Sequence, residues 1–216
     1  MHTLSSFPMV SPAEFEQGCE DIAELFDSIH LPERGDKSIA LKTCNGLKYL
    51  RISKPFNVSD KTTQSSDIDV EEQIEEDDEE AFSHPNVQQA HIEWDVIYSS
   101  SYQVPVIYFR IKDSSYRFPP NMETLRCIIP EQYKSQIESH GLMGGITITD
   151  HPFTNTPVFF LHPCQTADVL ASSVGTKTEI TPTEYLLLFM TGMGRYMQLD
   201  LPLSLAETLR KHSLRE

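Results

Sequence analysis

Two short alternating runs, Ile39 to Cys44 and Leu47 to Ser53, are separated only by Asn45-Gly46. No other dipeptide commits a chain to antiparallel pairing as firmly. A two-residue hairpin turn needs positive φ at both central positions, which asparagine tolerates and glycine takes without steric cost. The arrangement recurs twice with looser turns. His91 to Tyr98 puts Ile92, Trp94, Val96 and Tyr98 on one face, Ser99-Ser-Ser101 turns, and Val104 to Ile111 returns as a β-branched and aromatic run. Ile146 to Thr149 and Pro157 to Leu161 then flank a turn-like Asp150-His-Pro-Phe-Thr-Asn155. Three hairpins predict an antiparallel sheet. Pro105 has no N–H to give a ladder, so it is expected at an edge or a bulge near the start of its strand.

The helices announce themselves by their caps. Ser11 caps, Pro12 fits a first turn and Glu14 completes a capping box, while Phe15, Cys19, Ile22, Phe26 and Ile29 recur at helical spacing. Thr181-Pro-Thr-Glu184 opens a second helix, expected to reach about Met197, whose residues Tyr185 to Phe189 are apolar nearly all round and so call for burial. A shorter helix is expected from Thr166 to Ala171 and another from Glu131 to Ser139; Leu201-Pro-Leu-Ser-Leu205 should pack, with the last ten residues loose. The fold class is α+β, one domain over residues 1–216 with helices against an antiparallel sheet.

The formal charge is −15, but Asp67 to Glu80 holds ten acids and no lysine or arginine; without them the charge is −5. Residues about 54–88 carry too little apolar surface to offset backbone ordering and are expected to form a disordered acidic insertion between two strands. Nothing basic enough for nucleic acid or anionic lipid remains elsewhere. Cys19, Cys44, Cys127 and Cys164 make no C-x-x-C pair, which disfavours zinc, a redox pair or a disulfide framework. The N-terminus lacks the regions of a secretory signal, and the longest apolar run, Tyr185 to Met190, is too short for a transmembrane segment. A reduced, cytoplasmic setting follows. There, Asn57-Val-Ser59 reads as a chance glycosylation match.

Chemistry is sought where the third hairpin ends, at Val158-Phe-Phe-Leu-His-Pro-Cys164. Pro163 stops the strand pairing and leaves a thiol at the rim of the core. The helix beginning near Thr166 would bring its positive end close to that sulfur and favour thiolate. Cys19 lies on a core-facing stripe, Cys44 sits by a turn and Cys127 is flanked by isoleucines, so all three read as packing residues. The eight histidines form no metal motif, and neither a metal nor a cofactor is expected. A cysteine protease would need a histidine and an orienting group gathered in space, which sequence leaves open. His162 shares a strand face with Cys164 only if the strand continues that far. Tyr102 falls at the end of the sheet, where the default reading of a tyrosine is structural.

Leu161-His-Pro-Cys164-Gln-Thr166 resembles the cysteine motif of the autophagy conjugating enzymes, relatives of ubiquitin-conjugating enzymes. Tyr98-Ser-Ser-Ser-Tyr102-Gln-Val-Pro105 through Arg110 resembles the sheet segment of a protein-modifying member, and Leu201-Pro-Leu-Ser204 its C-terminal region. Together these cover roughly Trp94 to Ala206. The resemblance implies a ubiquitin-conjugating-enzyme-like core whose Cys164 carries a modifier, autophagy-related protein 12, as a thioester. The modifier would come from an activating enzyme, autophagy-related protein 7, and pass to a lysine of autophagy-related protein 5. The same resemblance puts Tyr102 and His162 near the sulfur, orienting that lysine. The His-Pro-Asn string that ordinary ubiquitin-conjugating enzymes carry well before their cysteine is missing here, which leaves open what stabilises the oxyanion. Two alternatives stand beside this reading: lipid conjugation to phosphatidylethanolamine, as in the sister autophagy-related protein 3, and a non-catalytic adaptor on the same fold.

Overall fold

A computed structural model describes residues 3–30, 36–57, 89–134, 145–174 and 179–213. The hairpins are β1 (Ser38–Cys44) with β2 (Leu47–Pro55), β3 (His91–Ser99) with β4 (Val104–Lys112), and β5 (Ile146–Asp150) with β6 (Pro157–Leu161). They join edge to edge into one six-stranded antiparallel sheet in the order β1-β2-β3-β4-β6-β5. The last hairpin attaches through its second strand. Consequently β6, which leads to Cys164, is interior, and β5 forms the edge.

Asn45 and Gly46 both have positive φ, 51° and 79°, as the two-residue turn requires. Pro105 lies in β4 opposite Tyr98, but β6 meets β4 only from Ile107 to Phe109. At the proline the strand therefore has a partner on one side alone, and the edge condition is met locally rather than by position in the sheet.

One face of the sheet carries the main core. Leu50 and Ile52 of β2, Ile92, Trp94 and Val96 of β3, Ile107 and Phe109 of β4, and Phe159 and Leu161 of β6 point the same way, all 7% exposed or less. Burying each of these large side chains contributes on the order of 1.5–3 kcal/mol. Helix α1 (Pro12–Ser28) lies on this face, its capping box formed by Ser11 and Glu14 and its buried stripe by Phe15, Cys19, Ile22 and Phe26. Gly18 lets it come close to helix α4 (Pro182–Gly194): a Cβ there would stand 2.8 Å from Leu186 Cδ1 and from the Pro182 carbonyl.

Three helical expectations change. The mixed stretch after Ser114 holds a short helix, α2 (Met122–Ile128), started by Asn121, whose side chain accepts from the Thr124 N–H at 2.9 Å. The α-helix opened by Thr181 ends at Gly194 and continues to Met197 only as a tighter 3-10 turn. The C-terminal stretch, read as a packing segment followed by a loose end, is helical over α5 (Leu203–Ser213), with Leu205 fully buried. Helix α3 (Thr166–Val174) starts where expected and runs one turn longer. Residues 131–134 are helical, whereas the remainder of the helix expected to Ser139, most of the acidic insertion and Ser59 lie outside the described residues.

Candidate active site

Cys164 is exposed and sits in a single 3-10 turn, Pro163–Gln165, between the end of β6 and the start of α3 at Thr166. The turn exists because Pro163 ends the ladder and presets the helical φ of a first position. His162 does not continue the strand as a face-sharing neighbour of the cysteine. It is the cap of the turn, with Nδ1 accepting the Cys164 backbone N–H at 3.2 Å. Its own backbone N–H donates to the Gly145 carbonyl at 2.7 Å, tying it to the start of the edge hairpin.

The capping bond settles the tautomer. A neutral imidazole that accepts at Nδ1 carries its proton on Nε2. That Nε2–H faces the Tyr102 hydroxyl oxygen at 3.2 Å and donates to it, with the two rings edge to face at 78° and 5.5 Å between centroids. Neither ring nitrogen then has a lone pair left for an incoming group. The Tyr102 oxygen still does, and Tyr102 is 49% exposed at the tip of the β3–β4 turn. The structure thus gathers the three expected residues: Tyr102 to His162 by a side-chain hydrogen bond, and His162 to Cys164 through the cysteine's backbone.

The remaining cysteines are free and lie elsewhere: Cys19 is fully buried in α1, while Cys44 and Cys127 are half-buried against packed side chains. Burial, aided by Glu16 and Glu20 nearby, pushes the Cys19 thiol far above its ordinary value and keeps it protonated. Among the described residues no group of three or more His, Cys, Asp or Glu could hold a metal ion.

One charged constellation escapes sequence reasoning. On the sheet face opposite the main core, Arg51 donates twice to Asp95, Nε to Oδ1 at 2.7 Å and a terminal nitrogen to Oδ2 at 2.6 Å. His151 Nε2 lies 2.9 Å from the same Oδ2, and its Nδ1 accepts from the backbone N–H groups of Phe153 and Thr154. Burial pushes the Asp95 carboxyl upward, but the Arg51 and His151 bonds outweigh it and hold the group below the usual carboxylate range. Alternation in β3 marks Asp95 as an outward residue; only the register Arg51↔Asp95 and the folded-back loop after β5 reveal that it is covered. The network anchors the β5–β6 turn, at the other end of β6 from Cys164.

Residues 14–204 match the family model described as autophagocytosis associated protein, active-site domain. The ubiquitin-like-conjugating enzyme ATG10 of Gibberella zeae is 24% identical over 240 residues, spanning 94% of this chain and 99% of the relative. The human enzyme of that name is 34% identical over 116 residues, 53% of this chain and 52% of its own. A crystal structure of the autophagic E2 Atg10 is similar at 13% identity and a TM-score of 0.46, covering 89% of this chain and 99% of that one. The class is that of the ubiquitin-like-conjugating enzymes of autophagy. The chain belongs to the autophagocytosis-associated protein family, as its active-site domain. Its relatives bear the name of the branch that Tyr102-Gln-Val-Pro105 resembles, autophagy-related protein 10.

Proposed function

We propose that Cys164 carries autophagy-related protein 12 as a thioester, accepted from autophagy-related protein 7, and yields it to a lysine of autophagy-related protein 5 in the cytoplasm. The observation that carries this reading is an exposed cysteine whose backbone is capped by the same imidazole that binds an exposed tyrosine. In the first step the Cys164 thiolate attacks the activated C-terminal glycine carbonyl, forming the S–C bond as the activating enzyme's sulfur leaves. In the second step the lysine amine attacks that carbonyl, the N–C bond forms, the S–C bond breaks with Cys164 departing as thiolate, and the nitrogen's proton passes to solvent water.

At pH 7 ionising an ordinary thiol costs about 2 kcal/mol and freeing an ordinary lysine amine about 4.6 kcal/mol. Transfer is therefore the step that needs help. The Tyr102 oxygen accepts an N–H from the approaching lysine amine and aims it, while His162 acts as a positioning residue that fixes Tyr102 through Nε2–H and the cysteine turn through Nδ1. Backbone N–H groups past Cys164 are the candidates for receiving the oxyanion.

Incubation with activating enzyme, modifier and ATP, run on a non-reducing gel, tests the assignment. A reductant-sensitive adduct on the wild type should vanish in Cys164→Ala and become reductant-resistant in Cys164→Ser. An unchanged adduct in Cys164→Ala would rule the nucleophile out. Tyr102→Ala and His162→Ala should load almost normally and transfer slowly; collapse of loading in a folded variant contradicts their role.

A further inference from the structure

The turn that presents Tyr102 does not hold its shape alone. Between the paired Ser99 and Val104, the Gln103 N–H donates to the Ser99 carbonyl at 2.7 Å, and Gln103 takes a φ of 56°. That left-handed conformation is uncommon for a residue with a Cβ, and a contact from outside the turn helps to hold the tip in it. The Gln103 carbonyl receives such a contact: it accepts the backbone N–H of Val10 at 2.9 Å.

Val10 is buried and directly precedes the cap of α1. The segment around it is fastened at two further points. The Pro8 carbonyl accepts the Tyr185 hydroxyl at 2.8 Å, and Tyr185 is fully buried in α4. The Glu14 carboxylate accepts the backbone N–H groups of Ser5 and Ser11, each at 2.8 Å, and the Ser11 hydroxyl at 2.6 Å. Two rigid helices therefore fix the segment, and the segment fixes Gln103, the residue next to Tyr102.

We propose that residues 5–11 form a positioning arm for the transfer step, aiming Tyr102 through the Val10 N–H to Gln103 carbonyl bond, with Tyr185 and Glu14 as the positioning residues that hold the arm. The inference rests on the role proposed above for Tyr102. The arm's fastenings run to α1, α4 and the Tyr102 turn, so it governs where the lysine is aimed and not whether the sulfur accepts the modifier. Displacing an orienting group by about 1 Å is enough to slow a reaction by up to about 100-fold.

Tyr185→Phe tests this with the loss of one hydroxyl, since the ring and its edge-to-face contact with Phe7 at 6.3 Å are kept. Loading is expected within about twofold of wild type. Single-turnover discharge of the preformed thioester to autophagy-related protein 5 is expected to slow about fivefold or more at saturating acceptor, with the half-saturating acceptor concentration unchanged. The same substitution in a Tyr102→Phe background should change discharge by less than about 1.5-fold, because the oxygen being aimed is already gone. Glu14→Gln should repeat the pattern. Equal slowing in both backgrounds, or none in the wild type, overturns the arm's role while leaving Tyr102 in place. If Tyr102→Phe alone discharges at the wild-type rate, the role of Tyr102 fails and the arm's with it.

Discussion

His162 and Cys164 are two residues apart, yet their relation runs through the backbone and not through neighbouring side chains on a strand. This makes the imidazole's two tasks separable. Asparagine is a good cap, so His162→Asn keeps an acceptor for the Cys164 N–H while losing the Nε2–H that holds Tyr102. It should load like the wild type and discharge about tenfold more slowly, whereas His162→Ala, losing the cap as well, should be slower still in single-turnover assays. Equal rates for His162→Asn and the wild type would remove Tyr102 alignment from the account. The cysteine was legible from the strand-stop at Pro163, but the cap was not: alternation says which face a side chain takes only while the strand lasts, and it ends at Leu161.

At the level of elements, the two capping boxes and the hairpin turns were legible because their signals are local. Helix α2 is not legible in the sequence, although Asn121 follows Pro119-Pro120, since its seven residues show too few turns for a period to emerge. The close crossing of α1 and α4 at Gly18 was equally invisible, being a contact between residues far apart in the chain. Gly18→Ala should lower stability by about 1–3 kcal/mol, seen as a reduced denaturation midpoint, as its methyl meets Leu186 and the Pro182 carbonyl. Glu14 supplies a pH test. Burial alone would raise its carboxyl, but hydrogen bonds from Ser11 and Ser5 outweigh this and lower it to about 2. A depressed folded-state value means stabilisation that is complete above the unfolded carboxylate pKa, near 4.3, and is lost as pH falls toward 2. Glu14→Gln should cost about 1–2 kcal/mol at pH 7 and flatten the loss of stability between about pH 4.5 and 2; an unchanged acid slope would contradict the assignment.

Across the whole molecule, β2 and β3 pair directly although the acidic insertion lies between them in the chain. The chain leaves β2 and returns to β3 at adjacent points, with Pro55 paired to His91, the Phe56 N–H bonded to the Ala90 carbonyl, and Gln89 Nε2 at 3.3 Å from Asn57 Oδ1. Replacing residues 58–88 with a short Gly-Ser linker is thus expected to leave the thermal midpoint within about 3 °C and thioester loading intact, because closing a long loop costs only slightly more than closing a short one. No helix among the described residues is long and apolar enough to cross a membrane. The exposed Cys164 stands just past the end of an interior strand. The most direct measurement is peptide mapping by mass spectrometry of the protein loaded with modifier and trapped before discharge. The account predicts the modifier's C-terminal glycine on Cys164; finding it on Cys19, Cys44 or Cys127, or on no cysteine at all, would contradict it.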